Sequence, residues 1–184
     1  IVSRHIAALG GAAAFKAIAS MRVTGRMEIA GTGLGGNFEA LAARPNRILL
    51  RATVPAVGVI ESGYNGTVGW SLNPLAGPEI LSGRQLDEAA EDAWFDATLY
   101  EANHVKSVET IARAAFDGRA TFKVKVVFTS GREAVQYFDI ETGLQAGSEV
   151  ERATPQGIVP TTNIMRGYRA FGRVQQPTTL VQQA

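Results

Sequence analysis

The sequence predicts a mainly β protein of the α+β class: a curved antiparallel sheet of about ten strands forming an incomplete β-barrel, covered by an N-terminal helical segment and one mid-chain helix. Three observations predict it. Apolar residues alternate with period two through most of the chain after Met21. Turn pairs such as Asn65-Gly66, Asp117-Gly118 and Thr142-Gly143 recur between the alternating runs. Helical spacing is confined to the start of the chain and to one stretch in its middle. Strands linked by such short turns must run antiparallel, because a parallel pair needs a crossover of about a dozen residues or more. A sheet of that many strands accumulates twist and curls, so it has a concave side.

Taken in order, Val2 to Ala19 is rich in Ala and spaces Ile6, Leu9, Phe15 and Ile18 at near three and four. Gly10-Gly11 divides it into two helical pieces, Val2 to Leu9 and Ala12 to Ala19. From Met21 the period changes: Val23, Gly25, Met27 and Ile29 share one face while Thr24, Arg26 and Glu28 share the other. Alternation continues in Phe38 to Ala42, Ile48 to Val54 and Val57 to Tyr64, and after Asn65-Gly66 in Val68, Trp70 and Leu72. Pro74, Gly77, Pro78 and Gly83 mark Asn73 to Gly83 as an irregular loop. Leu86, Ala90 and Trp94 then repeat at four, predicting a helix over Arg84 to Trp94 with Asp87, Glu88 and Glu91 facing outward. Strands resume at Val105 to Phe116, Phe122 to Phe128, Ala134 to Ile140, Leu144 to Arg152 and, after Thr154-Pro155-Gln156-Gly157, Ile158 to Tyr168. Pro177 to Ala184 reads as the beginning of a further strand.

A chain of 184 residues, 46% hydrophobic, suits one domain over 1–184 with one substantial core. Eighteen Lys plus Arg stand against seventeen Asp plus Glu, a formal charge of +1 with the signs interspersed, which gives no electrostatic footprint for nucleic acid. The absence of Cys removes disulfides, thiolate nucleophiles and thiolate metal sites together. A start at Ile1, with neither Met nor a charged leader, reads as a mature or trimmed fragment, and the strand-like run from Pro177 to Ala184 reads as stopping short at the other end.

No short motif assembles a catalytic or cofactor site. Gly31-Thr-Gly33-Leu-Gly35-Gly36 matches the letters of a dinucleotide loop, but an alternating segment follows it instead of the helix whose N-terminal amides would receive a phosphate; it reads as a hairpin turn. The two imidazoles, His5 and His104, lie outside any metal-ligand spacing and read as surface or hydrogen-bonding residues. No Ser occupies a nucleophile elbow. Asp87, Glu88, Glu91 and Asp92 could pair as catalytic carboxylates, yet their helical position is that of a solvated polar face. The expectation is therefore no enzyme, no cofactor and no metal.

Three stretches carry a resemblance: Ala8 to Gly25 (ALGGAAAFKAIASMRVTG), Gly66 to Gly83 (GTVGWSLNPLAGPEILSG) and Tyr137 to Leu144 (YFDIETGL). The chain resembles the bacterial outer-membrane lipoprotein carrier-like superfamily, the LolA-like and LolB-like proteins. That resemblance implies an incomplete β-barrel capped by helices, an apolar cavity for acyl chains and a place in the periplasm or cell envelope, peripheral to the membrane. It transfers no individual functional residue.

The apolar surface of the strands exceeds what two short helices can cover, so the surplus is either core or the wall of a ligand cavity. Met27, Phe38, Ile48, Leu50, Trp70, Leu72, Leu86 and Trp94 are the expected wall. The expected partner is a lipid, an acyl chain or a lipidated protein; the competing reading is an accessory subunit that fills its own interior and docks to an envelope membrane complex.

Overall fold

The computed structural model describes residues 1–55, 57–154 and 157–183. Its first turns follow the glycine punctuation: α1 spans Val2–Ala8, α2 spans Ala12–Lys16, and between them Gly10 and Gly11 take φ of 112° and 88°. A side chain at Gly10 would collide with the carbonyl of Arg173, so this position needs both the positive φ and the missing Cβ. Both helices stop short of their expected ends, and β1 already starts at Ser20.

The first sheet is a meander of β1 (Ser20–Ile29), β2 (Leu34–Ala43), β3 (Arg47–Val54), β4 (Gly58–Tyr64), β5 (Gly69–Asn73) and β6 (Gly77–Ile80), hydrogen-bonded in chain order. Strand β6 occupies part of the expected irregular loop. Asn73 Oδ1 accepts from the Leu75 amide, Gly77 takes φ of 86°, and the chain reverses to pair Leu72 with Pro78. Pro78 is tolerated because β6 is an edge strand, where a missing N–H removes no bond from a second neighbour. Next comes α3 (Gly83–Asp92), which packs on β4 and β5. Leu81 and Leu86 lie over Gly69, which is buried and leaves room for them by having no side chain.

The second sheet runs β7 (Val105–Phe116), β8 (Arg119–Phe128), β9 (Glu133–Asp139), β10 (Gln145–Thr154) and β11 (Gly157–Arg166), with β14 (Thr179–Gln183) on the outer side of β11. A separate hairpin joins β12 (Arg169–Phe171) to β13 (Val174–Gln176). The Asp117-Gly118 turn fixes its register as the sequence implies: both residues have positive φ, 50° and 72°, and Phe116 pairs with Arg119. The turn expected at Thr154-Pro155-Gln156-Gly157 lies partly outside the described residues.

The protein is mainly β, as expected, but among the described residues it has fourteen strands in two six-stranded sheets and one hairpin, instead of about ten in one sheet. The single expected sheet divides where α3 and a 3-10 turn at Ala97–Leu99 intervene between β6 and β7. The additional strands are short edges and hairpin arms too brief to show alternation.

The second sheet is curled into a half-barrel. Arg119, at the start of β8, donates to the Ala146 carbonyl at 3.4 Å and the Met165 carbonyl at 3.0 Å, on β10 and β11. In a flat sheet β8 and β11 would stand about 14 Å apart, beyond the reach of one side chain. Arg166 also closes on Asp117 through two hydrogen bonds, and the Phe116 ring folds over Gly147 on β10. Inside this sheet Val105, Val124, Val126 and Phe138 form a core, extended by Tyr100, Phe122 and Phe128.

Two compact units result. One is Ile18–Phe95, with the first sheet and α3; the other joins Ile1–Ala17 to Asp96–Ala184.

Candidate apolar binding face

Cross-strand register decides which side chains of the first sheet share a face, since directly paired residues project to the same side. Gly25 pairs with Phe38 and Phe38 with Ala52; Ala40 pairs with Leu50; Ala42 pairs with Ile48; Met27 pairs with Gly36. Met27, Phe38, Ile48 and Leu50 therefore lie on one face, in company with Val23, Ile29, Ala40 and Ile60. Leu86 meets that same face from α3, over Gly69, which pairs with Tyr64 and so with Ile48.

Trp70 and Leu72 fall on the other face. Trp70 pairs with Gly63, which in turn pairs with Leu49, and its ring lies over that glycine; Leu72 pairs with Glu61 and Glu61 with Arg51. The eight expected wall residues thus divide, five brought to one side and two to the opposite. Trp94 lies past the end of α3, half-buried, with its amide donating to the Glu91 carbonyl at 3.1 Å.

The five-residue face is apolar and incompletely covered. Met27, Phe38, Ile48 and Leu50 are half-buried, while Val23 and Ile29 keep 46% and 42% of their surface. Only at the α3 end does the face become closed, with Tyr64 and Gly69 buried. Residues such as Val23 and Ile60 were missing from the expected wall although they carry the same alternation signal as Met27 and Ile48.

The second unit's inner face differs. Its row Gln136, Ser148, Asn163 and Gln182 runs across four strands in register. Tyr100 Oη donates to Gln136 at 2.6 Å, Asn163 donates to Ser148 at 3.4 Å and Gln182 to Asn163 at 3.3 Å. These amides and hydroxyls satisfy one another, which makes the row a set of struts instead of open donors. Burial first, and then the neighbouring Tyr168, raise the Tyr100 phenol well above its ordinary range, so its hydroxyl stays a donor.

The titratable candidates resolve as follows. His5 and His104 are both buried, so neither is a surface histidine. His5 packs edge-on against Phe138 with centroids 4.9 Å apart, and its Nδ1 lies 3.1 Å from the Gly143 carbonyl. Desolvation by burial lowers its pKa to about 4 despite that hydrogen bond, leaving a neutral imidazole. The His104 ring packs at a tilt against Phe128, with centroids 5.3 Å apart. Of the acidic helix cluster, Asp87 and Asp92 are solvated as expected, but Glu88 is buried and its Oε1 accepts from Arg84 Nε at 3.0 Å. One helical turn separates Arg84 from Glu88, and the arginine offsets the cost of burying the acid. Among the described residues no group of His, Asp and Glu could hold a metal ion. Gly31 to Gly36 forms the β1–β2 hairpin, with Gly31 and Gly33 at positive φ and Thr32 Oγ1 bonded to the Ile29 carbonyl.

No family model matches the sequence, and no curated protein matches it. Solved structures do. A LolA superfamily protein from Nitrosomonas europaea superposes with a TM-score of 0.53 at 11% identity, over 90% of this chain and 76% of that one. A DUF1329 family protein from Desulfovibrio piger gives 0.54 at 12% identity over the same shares, 90% and 76%. A domain named for outer membrane lipoprotein sorting, from Vibrio parahaemolyticus, gives 0.50 at 12% identity over 99% and 86%. Identities this low speak for architecture alone, and by that architecture the chain has a LolA-like fold.

Proposed function

We propose that this chain, acting as one ligand-binding module over 1–184, is a non-enzymatic protein of the cell envelope that holds a lipid, an acyl chain or the lipid of a lipidated protein. The ligand rests against the apolar face of the first sheet. One observation carries the reading: in the folded unit the large side chains of that face, Val23, Met27, Ile29, Phe38 and Leu50, stay half-buried or exposed. Contiguous apolar surface left open in this way is characteristic of ligand and partner sites. Burying an acyl chain there would contribute about 0.8 kcal/mol per methylene before ordering costs, which suits reversible carriage.

The similar solved structures support the reading by their names, LolA superfamily and outer membrane lipoprotein sorting. The same likeness supports a periplasmic location, peripheral to the membrane; no helix among the described residues is long and apolar enough to cross a bilayer.

Native mass spectrometry of the purified protein tests the proposal. Co-purified lipid is expected, lost in Leu50→Glu and Met27→Glu and retained in Leu72→Glu, whose side chain projects from the opposite face. A lipid-free protein, or equal loss from all three variants, would sink the reading; a stable lipid-free complex with a membrane protein would replace it with a docking role.

A further inference from the structure

The reverse face of the first sheet carries charge where the front carries hydrocarbon. Arg22 Nε binds Glu39 Oε1 at 2.8 Å, Arg51 approaches the second oxygen of Glu39 at 3.8 Å, and Arg51 also grips Glu61 through Nε and Nη2 at 2.9 and 2.7 Å. Both carboxylates of this ladder are thereby engaged. One row along, Arg26 pairs with Asn37 and Asn37 with Thr53, while Thr24 sits beside them in the row of Glu39 and Arg51.

All of these residues except Glu61 line an open groove of about 470 Å³. Among the described residues, the side chains of Thr24, Arg26, Asn37 and Thr53 have no hydrogen-bond or ion-pair partner. Four polar side chains converge there with their capacity unused, one of them a guanidinium, while the adjacent acids are spent on Arg22 and Arg51. Glu28, two residues beyond Arg26 on the same face, lies outside the groove.

We propose that this groove is a phosphate-binding site, with Arg26 as the charged anchor and Thr24, Asn37 and Thr53 as neutral donors. A guanidinium pairs with two oxyanion oxygens at once, and the hydroxyl and amide groups around it can serve the oxygens that remain. The site is on the opposite side of the sheet from the apolar wall, so it does not depend on the lipid-binding reading. The phosphate can be free or can belong to a phospholipid headgroup presented by a membrane.

Two arms of one experiment separate these sources. Inorganic phosphate is titrated into the isotope-labelled protein and followed by amide NMR; in parallel, the protein is sedimented with phosphatidylglycerol vesicles. Saturable shifts centred on Thr24, Arg26, Asn37 and Thr53 identify the free anion as ligand, and vesicle binding alone identifies the headgroup. In whichever arm responds, Arg26→Gln is expected to weaken binding by about tenfold or more, the loss of one charge-assisted contact. Arg47→Gln, an exposed arginine of the same face outside the groove, is expected to change it little. Because Arg26 is exposed, the amide spectrum of its variant should retain the native dispersion. No response in either arm, or equal weakening by both variants, would overturn the proposal. Retention of co-purified lipid by Arg26→Gln keeps this result distinct from the fate of the apolar wall.

Discussion

His5 illustrates how one residue ties the N-terminal helix to the sheet chemistry of its unit. The imidazole is wedged among Phe138, Tyr100 and the Gly143 carbonyl, and burial holds its pKa at about 4 against an ordinary 6.5. In the unfolded chain the ring takes up a proton near pH 6.5, whereas the native protein resists until about pH 4. The stability due to the neutral ring is thus whole above pH 6.5, declines as pH falls toward 4, and declines no further below that. Integrated over the window, the loss is about 3 kcal/mol. Urea unfolding at pH 7.5 and 4.5 should show the wild type losing about 2 to 3 kcal/mol more than His5→Gln. Parallel stability curves for the two proteins would remove the ring from this account.

Elements are held by glycines for two separable reasons, and the second sheet contains both. Gly118 needs its φ of 72° to complete the β7–β8 turn, yet a Cβ there would meet nothing. Gly118→Ala should cost about 1 to 2 kcal/mol, the penalty of a left-handed backbone alone. Gly147 has no positive φ, but a Cβ there would strike the Asn163 carbonyl and come within 2.6 Å of the Phe116 ring. Gly147→Ala must displace β11 or the ring that crosses from β7, so about 3 kcal/mol or more is expected from overpacking. Thermal or urea unfolding of the pair measures the difference; equal costs would mean that the curl of this sheet is soft. The sequence shows Asp117-Gly118 as a turn directly, because turn chemistry is local. It does not show that Gly147 lies beneath Phe116, since that contact joins strands three apart in the sheet.

Across the whole molecule, burial is uneven. Val54, Tyr64 and Ala93 are the buried apolar residues described in the Ile18–Phe95 unit, whereas the other unit buries Leu9, Phe15, Val124, Val126, Tyr137 and Phe138 among others. Local stability follows buried apolar contact, so amides of β1 to β3 should exchange with solvent faster than those of β8 and β9. Hydrogen-exchange mass spectrometry resolves the two sets; uniform protection would contradict this ranking. Added acyl ligand should slow exchange selectively in β1 to β3, for it would cover the face that the fold leaves open.

The sequence by itself determined the β-rich class, the helix-glycine-helix start, the mid-chain helix and the hairpins, all of which rest on periodicity and on turn residues a few positions apart. It also placed Met27, Phe38, Ile48 and Leu50 together, because β1 to β3 alternate in a consistent phase. Only the tertiary structure decided the sides of Trp70 and Leu72. In β4 both phases are apolar, with Val59 on one face and Ile60 on the other, so alternation carries no phase across that strand and hydrogen-bond register has to supply it. The division into two sheets, the burial of His5 and Glu88, and the groove at Arg26 were likewise invisible in one dimension, because each depends on which strands and helices meet and not on what any segment prefers.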